Sequence, residues 1–400
     1  MFNKILGGIL LIIGTAIGGS ILALPMVTAA LGFTHASLLL VATWTVMTIG
    51  AFLVLEVSLW LPEGANLISM ARATLGREGE FIMWVAYLLL LYALLSAFMA
   101  AGGDLLASLL ALMHVHLSTS LNTVLFTLIF GAIVADGIRS VDWANRSLMS
   151  VKLGAFIVLI ILIIPHVKSN YFVPGSWQAV NLALFPVINS FGFAIVMPSL
   201  RSYFKSHVKT LRLTLAIGSL IPLICYLVWN WVVQGSVQTS GSHGLIAIGQ
   251  SEQAVSGLTQ ALSSHLNSSW VSSLGHIFTV ICITTSFLGV SLCLNDFLRD
   301  GLKLKQNFAA TCKSLSLTFL PPLLIVLFYP GVFIKALSYA GICCVVLLML
   351  LPALMCYSGR YVKKIAHGYR LFGGGWLLFL ELVISLALLG YGIVEVFKVG

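Results

Sequence analysis

Gly14-Thr15-Ala16-Ile17-Gly18-Gly19-Ser20-Ile21-Leu22-Ala23-Leu24-Pro25 is the stretch on which the fold turns. It lies inside an apolar run over residues 5–31, with adjacent glycines at its middle and a proline behind them. Each glycine costs a helix about 1 kcal/mol relative to alanine, and Pro25 removes a backbone donor. A run of that length would make about 40 Å of unbroken helix, beyond the ~30 Å of a hydrocarbon core. A break or a strong tilt is the expected solution. Close packing is the competing reading, since Gly14 and Gly18 alone make a small-xxx-small pair. Packing does not require Gly19, Ser20 and Pro25 as well.

The composition around this stretch explains why a membrane enters the argument. Of 400 residues, 60% are hydrophobic and only 8% charged, against about 25% charged in soluble domains. That excludes an ordinary soluble enzyme, a disordered chain and a fibrous repeat, and points to a polytopic helical membrane protein. A transmembrane β-barrel is excluded too, because barrel strands alternate apolar and polar over roughly ten residues and these runs are continuous. The net charge of +9 would suit a nucleic-acid partner only if the basic residues shared one face; they are scattered in small groups between apolar runs, so no nucleic-acid partner is expected. The seven cysteines lie within or beside apolar segments without zinc spacing, and are expected to pack rather than to bind metal or pair. Met1-Phe2-Asn3-Lys4 leads directly into the first apolar run without an Ala-x-Ala-type site, so no cleavable signal is expected.

Apolar windows predict eleven helices, over 5–31, 36–61, 81–112, 120–137, 147–165, 181–204, 211–233, 270–298, 314–329, 332–357 and 376–397. Of the 21 Lys and Arg, all but Lys168, Lys335 and Lys398 fall at the N-terminus or in the alternate loops near 62–80, 138–152, 201–212, 299–313 and 358–375. The positive-inside rule then puts the N-terminus in the cytoplasm and, with an odd number of spans, the C-terminus outside. One miscounted helix would scramble this asymmetry. Within loop 62–80, Leu67, Met70 and Leu75 suggest a short interfacial helix. The external segment 234–270 is Ser/Gly/Gln-rich, yet Val255, Leu258, Leu262 and Leu266 recur at helical spacing. It reads either as an amphipathic turn resting on the membrane or as a lid over an external vestibule.

A second interruption stands in the sixth span, Phe185-Pro186-Val187-Ile188-Asn189-Ser190-Phe191-Gly192-Phe193-Ala194-Ile195-Val196-Met197-Pro198. The plainer reading there is a proline-kinked packing helix with Asn189 bonded to a neighbour. The first and sixth spans open two successive blocks of five, 5–165 and 181–357, with 376–397 as an extra helix. Paired interrupted helices in corresponding places mark an inverted-repeat transporter, here one membrane domain over 1–400. No internal sequence identity supports the repeat; it rests on span count and on the two breaks. Unwound backbone needs hydrogen-bond partners at membrane depth, and an amino-acid zwitterion supplies both kinds. Its carboxylate would accept from N–H groups of Gly18, Gly19 and Ser20. Its ammonium would donate to carbonyls near Thr15, Ala16, Asn189 and Ser190.

These strings resemble a known family. Gly14–Pro25 (GTAIGGSILALP), Ser190–Phe193 (SFGF), Thr285–Asp296 (TSFLGVSLCLND) and Phe319–Leu324 (FLPPLL) are similar to motifs of the hydroxy and aromatic amino acid permeases, within the amino acid–polyamine–organocation superfamily. The likeness runs the length of the chain, and the branch it looks most like is the bacterial tyrosine/tryptophan permeases. The resemblance implies an all-α LeuT-type fold with a 5+5 inverted repeat, discontinuous helices 1 and 6 and an eleventh helix. It also implies a bacterial inner-membrane location and proton-coupled uptake of an aromatic amino acid, with tyrosine first. No cofactor is expected beyond the coupling ion. The substrate set it implies takes in Thr15, Ala16, Ile17, Gly18, Gly19 and Ser20 with Asn189, Ser190, Phe191, Gly192 and Phe193. Several members of the family follow SFGF with histidine; here the position is Ala194, so no role for that histidine passes to this chain.

Lys152 lies six residues past Arg146, about 9 Å deeper along the fifth span. It reads as a snorkelling anchor or, by resemblance to proton-coupled relatives, as a lysine replacing a sodium ion between helices 1, 5 and 8. In the second case its ammonium would bridge carbonyls of the first span and the hydroxyls of Thr285 and Ser286, and proton loss would loosen that bridge. Hydroxyl back-bonding to the preceding turn is the alternative for Thr285 and Ser286. Tyr92 and Ser96, one turn apart, face either the substrate or the core. Phe191 and Phe193 are candidates for an aromatic wall. Glu56, Asp136 and Asp296 fall near cytoplasmic helix ends, Asp104 near an external one, and Glu381 five residues after Trp376, close enough to the interface to need no role. A transporter of small hydroxylated amino acids is the sister reading, to be separated by pocket volume. A membrane enzyme is a distant third: there is no HExxH motif and no intramembrane Ser/His or Asp/Asp constellation. No Walker A motif suggests ATP-driven transport, and no selectivity ring suggests a channel.

Overall fold

The first expected span is divided. The structure, a computed structural model, describes residues 2–205, 207–266, 269–304 and 307–399; Lys305 of the basic loops lies outside them. Helix α1 (Phe2–Ala16) ends at the glycine pair and α2 (Ser20–Thr28) resumes after it. Gly18 and Gly19 carry no side chain to hold helical packing, and the backbone groups they release find partners in other helices, as described below. Among the described residues, ten helical stretches are long and apolar enough to cross a membrane, and Lys4–Ala16 is a shorter apolar helix. The expected eleven spans are all present, and the first is the one cut at its break.

The remaining spans follow in order: α3 (Gly32–Leu59), α4 (Leu67–Leu112), α5 (Thr119–Asp136), α6 (Ile138–Ile163), α7 (Val180–Ser190) continuing through a 3-10 turn into α8 (Met197–Phe204), and α9 (Val208–Ser236). Two short helices, α10 (Leu245–Gln250) and α11 (Ala254–Leu266), precede α12 (Ser269–Gly301) and α13 (Phe308–Phe328). The tenth span is α14 (Phe333–Val345), a π-helical turn at Val346–Leu350 and α15 (Leu351–Tyr357); α16 (Gly374–Val399) is last. Helix starts at the loops are capped by side chains that accept from the first turn: Asn66 from Ser69, Ser118 from Leu121 and Asn307 from Ala310.

Loop 62–80 is helical from Leu67 and is set off from the rest of α4 by Gly76, whose φ of 84° only glycine adopts freely. Leu67 and Met70 are buried against the protein, so this turn rests on the bundle. Two interrupted spans meet: α2 packs on α7, and α1 on the 3-10 turn and on α9. Pro198, read as a breaker, sits at the first turn of α8, where its missing N–H leaves nothing unpaired. At the basic end, Arg360 donates to both oxygens of Glu56, at 2.7 and 2.5 Å, and the Leu371 amide donates to one of them at 2.7 Å. This buried pair ties the tenth span to α3. At the far end, α11 packs on α4, α12, α2 and α9 with Val255, Leu258 and Leu262 buried beneath it. These three residues of its apolar stripe are therefore spent on the protein; the side chain of Leu266 lies outside those described. Asp104 of α4 accepts from the amides of Val255 and Ser256 at 3.0 and 2.9 Å and from the Ser256 hydroxyl, capping the start of α11.

Candidate functional site

Three backbone groups freed at the first break are taken by three different helices. The Ala16 carbonyl accepts from the Tyr226 hydroxyl of α9 at 2.6 Å. The Ile17 carbonyl accepts from Lys152 Nζ of α6 at 2.8 Å. The Gly19 amide donates to Ser286 Oγ of α12 at 2.9 Å. The glycines admit these partners: a Cβ on Gly18 would stand 2.5 Å from Ser286 Oγ, and one on Gly19 would stand 2.6 Å from the Phe98 ring. Lys152 is 1% exposed. Depth of that order rules out the snorkelling reading, in which the head reaches water.

The second break stays wound. Phe191 closes α7, and Gly192–Val196 form the 3-10 turn that leads to α8. Among the described residues, its backbone link to the first break is Ser190, whose carbonyl also accepts from Tyr226 Oη, at 2.9 Å. A phenol has one proton, so it is shared between the Ala16 and Ser190 carbonyls. Asn189 Nδ2 donates to Ser20 Oγ at 3.0 Å, and Cys344 Sγ of α14 points at Asn189 Oδ1 at 3.8 Å. The two breaks are thus joined by Tyr226 and by the Asn189–Ser20 pair.

A cavity of about 540 Å³ opens against these groups. Thr15, Ala16, Gly18 and Ser20 line it on one side, Asn189 and Gly192 on another, and Lys152, Thr285 and Ser286 on a third; Tyr87 and Phe98 of α4 supply its aromatic surface. It shares Tyr87, Ile195, Ser199 and Cys293 with a second cavity of about 900 Å³, lined by Asn66, Glu80, Arg299 and Lys303 at the basic end. The two cavities adjoin at these four residues, between the breaks and the basic end, while α10 and α11 pack at the far end.

Several expected positions fall elsewhere. Tyr92 Oη donates to the Leu317 carbonyl of α13 at 2.8 Å, and Ser96 back-bonds to the Tyr92 carbonyl, so neither lines the cavity. Phe191 is fully buried with its ring edge on Tyr226, and Phe193 is buried outside the cavity lining. The aromatic wall comes from Tyr87 and Phe98 instead. The bridge from Lys152 to the hydroxyls is not formed: Thr285 donates back to the Ile281 and Cys282 carbonyls, at 2.7 and 3.3 Å, and Ser286 Oγ is taken by Gly19. Thr15 likewise back-bonds to Leu11, and the Gly18 amide donates to the Ala16 carbonyl at 3.0 Å. Two of the three amides expected for a substrate carboxylate, Gly18 and Gly19, are therefore already bonded. Ala194 is buried in the 3-10 turn with no polar side chain to offer. Tyr226 was missed from the sequence. A tyrosine in mid-span is its only signal, and nothing in its neighbours marks which face it presents.

Comparison with known proteins adds four findings. A model of the tryptophan/tyrosine permease family matches residues 1–392. The chain is similar to tyrosine-specific transport system 1 of Haemophilus influenzae, 34% identical over 96% of this chain and 95% of that one. It is also similar to glutamine transporter 2 of Aliivibrio fischeri, 29% identical over 96% and 98% of the two chains. Among solved structures, that of Mhp1, a nucleobase-cation-symport-1 family transporter, in a closed conformation with bromovinylhydantoin bound, superposes with a TM-score of 0.62 at 13% identity, over 98% of this chain and 92% of that one. That likeness is one of fold: an all-helical, LeuT-type membrane protein with interrupted first and sixth spans.

Proposed function

The chain belongs to the tryptophan/tyrosine permease family, and from that membership we propose that it is a proton-coupled symporter carrying tyrosine into a bacterial cell across the inner membrane by alternating access. The observation that carries the reading is Lys152 Nζ on the Ile17 carbonyl, in the wall of a cavity that also reaches Ser20, Asn189 and Gly192. Residues that bind a proton and residues fit to hold an amino acid thus share one space.

The substrate end follows from the cavity. Its volume falls within the range of small-molecule sites, which are mostly apolar with a few placed polar groups. Tyr87 and Phe98 suit an aromatic ring. The Ser20 hydroxyl, the Asn189 amide and the backbone beside Gly18 suit the amino and carboxyl groups. Small hydroxylated amino acids would leave this aromatic surface unused, and the name of the glutamine-transporting relative makes glutamine a competitor worth testing.

The coupling follows from the lysine. Protonated, Lys152 holds the end of α1 through a charge-assisted hydrogen bond. The cavity leads from it to the basic end, which the positive-inside rule assigns to the cytoplasm. Release of the proton there weakens the hold on Ile17 and frees α1 to shift, which ties proton release to substrate release. By the same rule the N-terminus is cytoplasmic and the C-terminus periplasmic, the open path faces inward, and α10 and α11 form the lid on the outer side. Uptake into proteoliposomes of labelled tyrosine, tryptophan, serine and glutamine, under imposed proton or sodium gradients, tests this. Tyrosine should accumulate under an inward proton gradient. Sodium-dependent flux indifferent to pH would overturn the coupling, and uptake of serine or glutamine without tyrosine would overturn the substrate.

A further inference from the structure

Helix α16 leans on the bundle through a narrow face. Leu378, Glu381 and Ser385, at helical spacing, are 1%, 1% and 0% exposed, whereas Phe379, Val383 and Leu386 on the same helix lie open. An apolar residue at 381 would satisfy the packing. The carboxyl there is buried inside the protein, not held at the interface as its place near Trp376 suggested, and its Oε1 has no hydrogen-bond partner.

What surrounds it is specific. A Cβ added to Gly50 of α3 would stand 2.0 Å from the Leu348 carbonyl oxygen and 3.7 Å from Glu381 Oε1. Three helices therefore converge on one point, and glycine is what lets them. The Leu348 carbonyl lies in the π-helical turn of the tenth span. Pro352, four residues on, has no N–H, so the α-type bond is closed to this carbonyl, and Ala353, five residues on, is its one π-type donor within the turn. A buried carboxyl oxygen without a donor and a carbonyl with a second lone pair to offer thus meet beside Gly50. An ionised carboxylate there would face another acceptor, with the solvation loss of a buried charge and nothing to offset it. A protonated one is a donor for that carbonyl.

Titratable side chains on the packed elements are engaged or turned elsewhere. On α14, Cys344 points at Asn189, Cys343 is half-buried with no recorded bond to Glu381, and Tyr339 and Lys335 are exposed. On α15, Cys356 points at the Leu53 carbonyl and Tyr357 packs at a tilt on Tyr361. On α3, Glu56 pairs with Arg360 and His35 bonds the Leu31 carbonyl. On α16 itself, Tyr391 stacks on Phe185, and Glu395 lies four turns on, engaged in an interaction of its own.

We propose that Glu381 is a second proton-binding site, distinct from Lys152: its carboxyl carries a proton at neutral pH, donates it toward the Leu348 carbonyl, and so fastens helix 11 to the π-helical turn. The turn also lies beside the second break. A Cβ on Gly192 would meet Cys344 Sγ at 3.5 Å and a Leu348 methyl at 3.9 Å, so Leu348 touches the second break with its side chain and the Glu381 joint with its carbonyl. The site stands independently of which substrate is carried and of the role given to Lys152.

Infrared spectroscopy of the full-length protein in lipid tests it directly. A protonated carboxyl gives a C=O stretch above the amide bands that an ionised one lacks. At neutral pH the wild type should show this band, it should shift when the protein is grown on carboxyl-13C glutamate, and it should be lost in Glu381→Gln. Glu56, the other buried glutamate described, is bound to Arg360, so the isotope shift isolates Glu381 even if the variant folds poorly. Absence of a glutamate-shifted band at neutral pH overturns the proposal. So does a band that disappears when choline is replaced by sodium, which would make the carboxylate a cation ligand.

Discussion

At the first interruption, helix is given up at Ile17–Gly19 and the freed groups are answered from outside, by Tyr226, Lys152 and Ser286. At the second, the chain tightens into a 3-10 turn and answers most of its own groups. Both lie against the same cavity. The difference lies in the length of chain between partners: the first break depends on side chains 135 to 267 residues away, the second mainly on its own neighbours. A break held from outside can be released by changing any of its holders, and one of those holders is a titratable amine. Among the described residues, no amine holds the second break.

This contrast can be broken experimentally. The largest effect is expected from Lys152→Ala: pH-driven accumulation of substrate should be abolished in proteoliposomes. Full accumulation in that variant would remove the first break from the coupling reading. Tyr226→Phe comes next, because it removes the one donor shared by Ala16 and Ser190. The Ala16 carbonyl keeps the Gly18 amide, so the loss is of one shared hydrogen bond, about 0.5–1.5 kcal/mol net, and a fall in uptake of up to about tenfold with a lower melting temperature in detergent is expected. A matched pair then compares the breaks directly. Gly19→Ala should drive a methyl into the Phe98 ring, at 2.6 Å, and lower uptake about fivefold, whereas Gly192→Ala meets Cys344 Sγ at 3.5 Å, an ordinary contact, and should stay within about twofold. Equal losses would erase the distinction. The smallest effect belongs to Thr285→Ala, whose hydroxyl is spent on its own helix; uptake within about twofold of wild type is expected, and a large loss would restore the bridge to Lys152 that the structure lacks.

The two breaks also differ in how far they could be read in advance. Glycine pairs, prolines and polar residues inside an apolar run announce an interruption wherever it occurs, so both were legible. Lys152 was legible only in part: the sequence left a snorkelling anchor open beside the coupling role, and only the fold supplies its partner, the Ile17 carbonyl. The aromatic surface was not legible. Phe191 and Phe193 drew attention because they sit in a motif, yet they are buried in packed protein, and Tyr87 and Phe98 of α4 line the cavity instead. Tyr92, one turn from Ser96, bonds to α13 instead. Glu381 was placed at the interface by its distance from Trp376, and the fold carries it inside.

The sequence by itself determined the class of molecule, the number of spans, the two interruptions and the asymmetry of basic charge. These are additive properties of local windows: hydropathy, helix propensity and the cost of a charge in lipid act residue by residue. Only the tertiary structure decided which side chains answer each broken backbone group and which aromatics line the cavity. It alone decided that Asp104 caps α11 and that Gly50, Leu348 and Glu381 meet. The reason is physical. A soluble helix marks its inner face with apolar residues, but a membrane helix is apolar all round, so lipid-facing and core-facing positions look alike until the helices are packed.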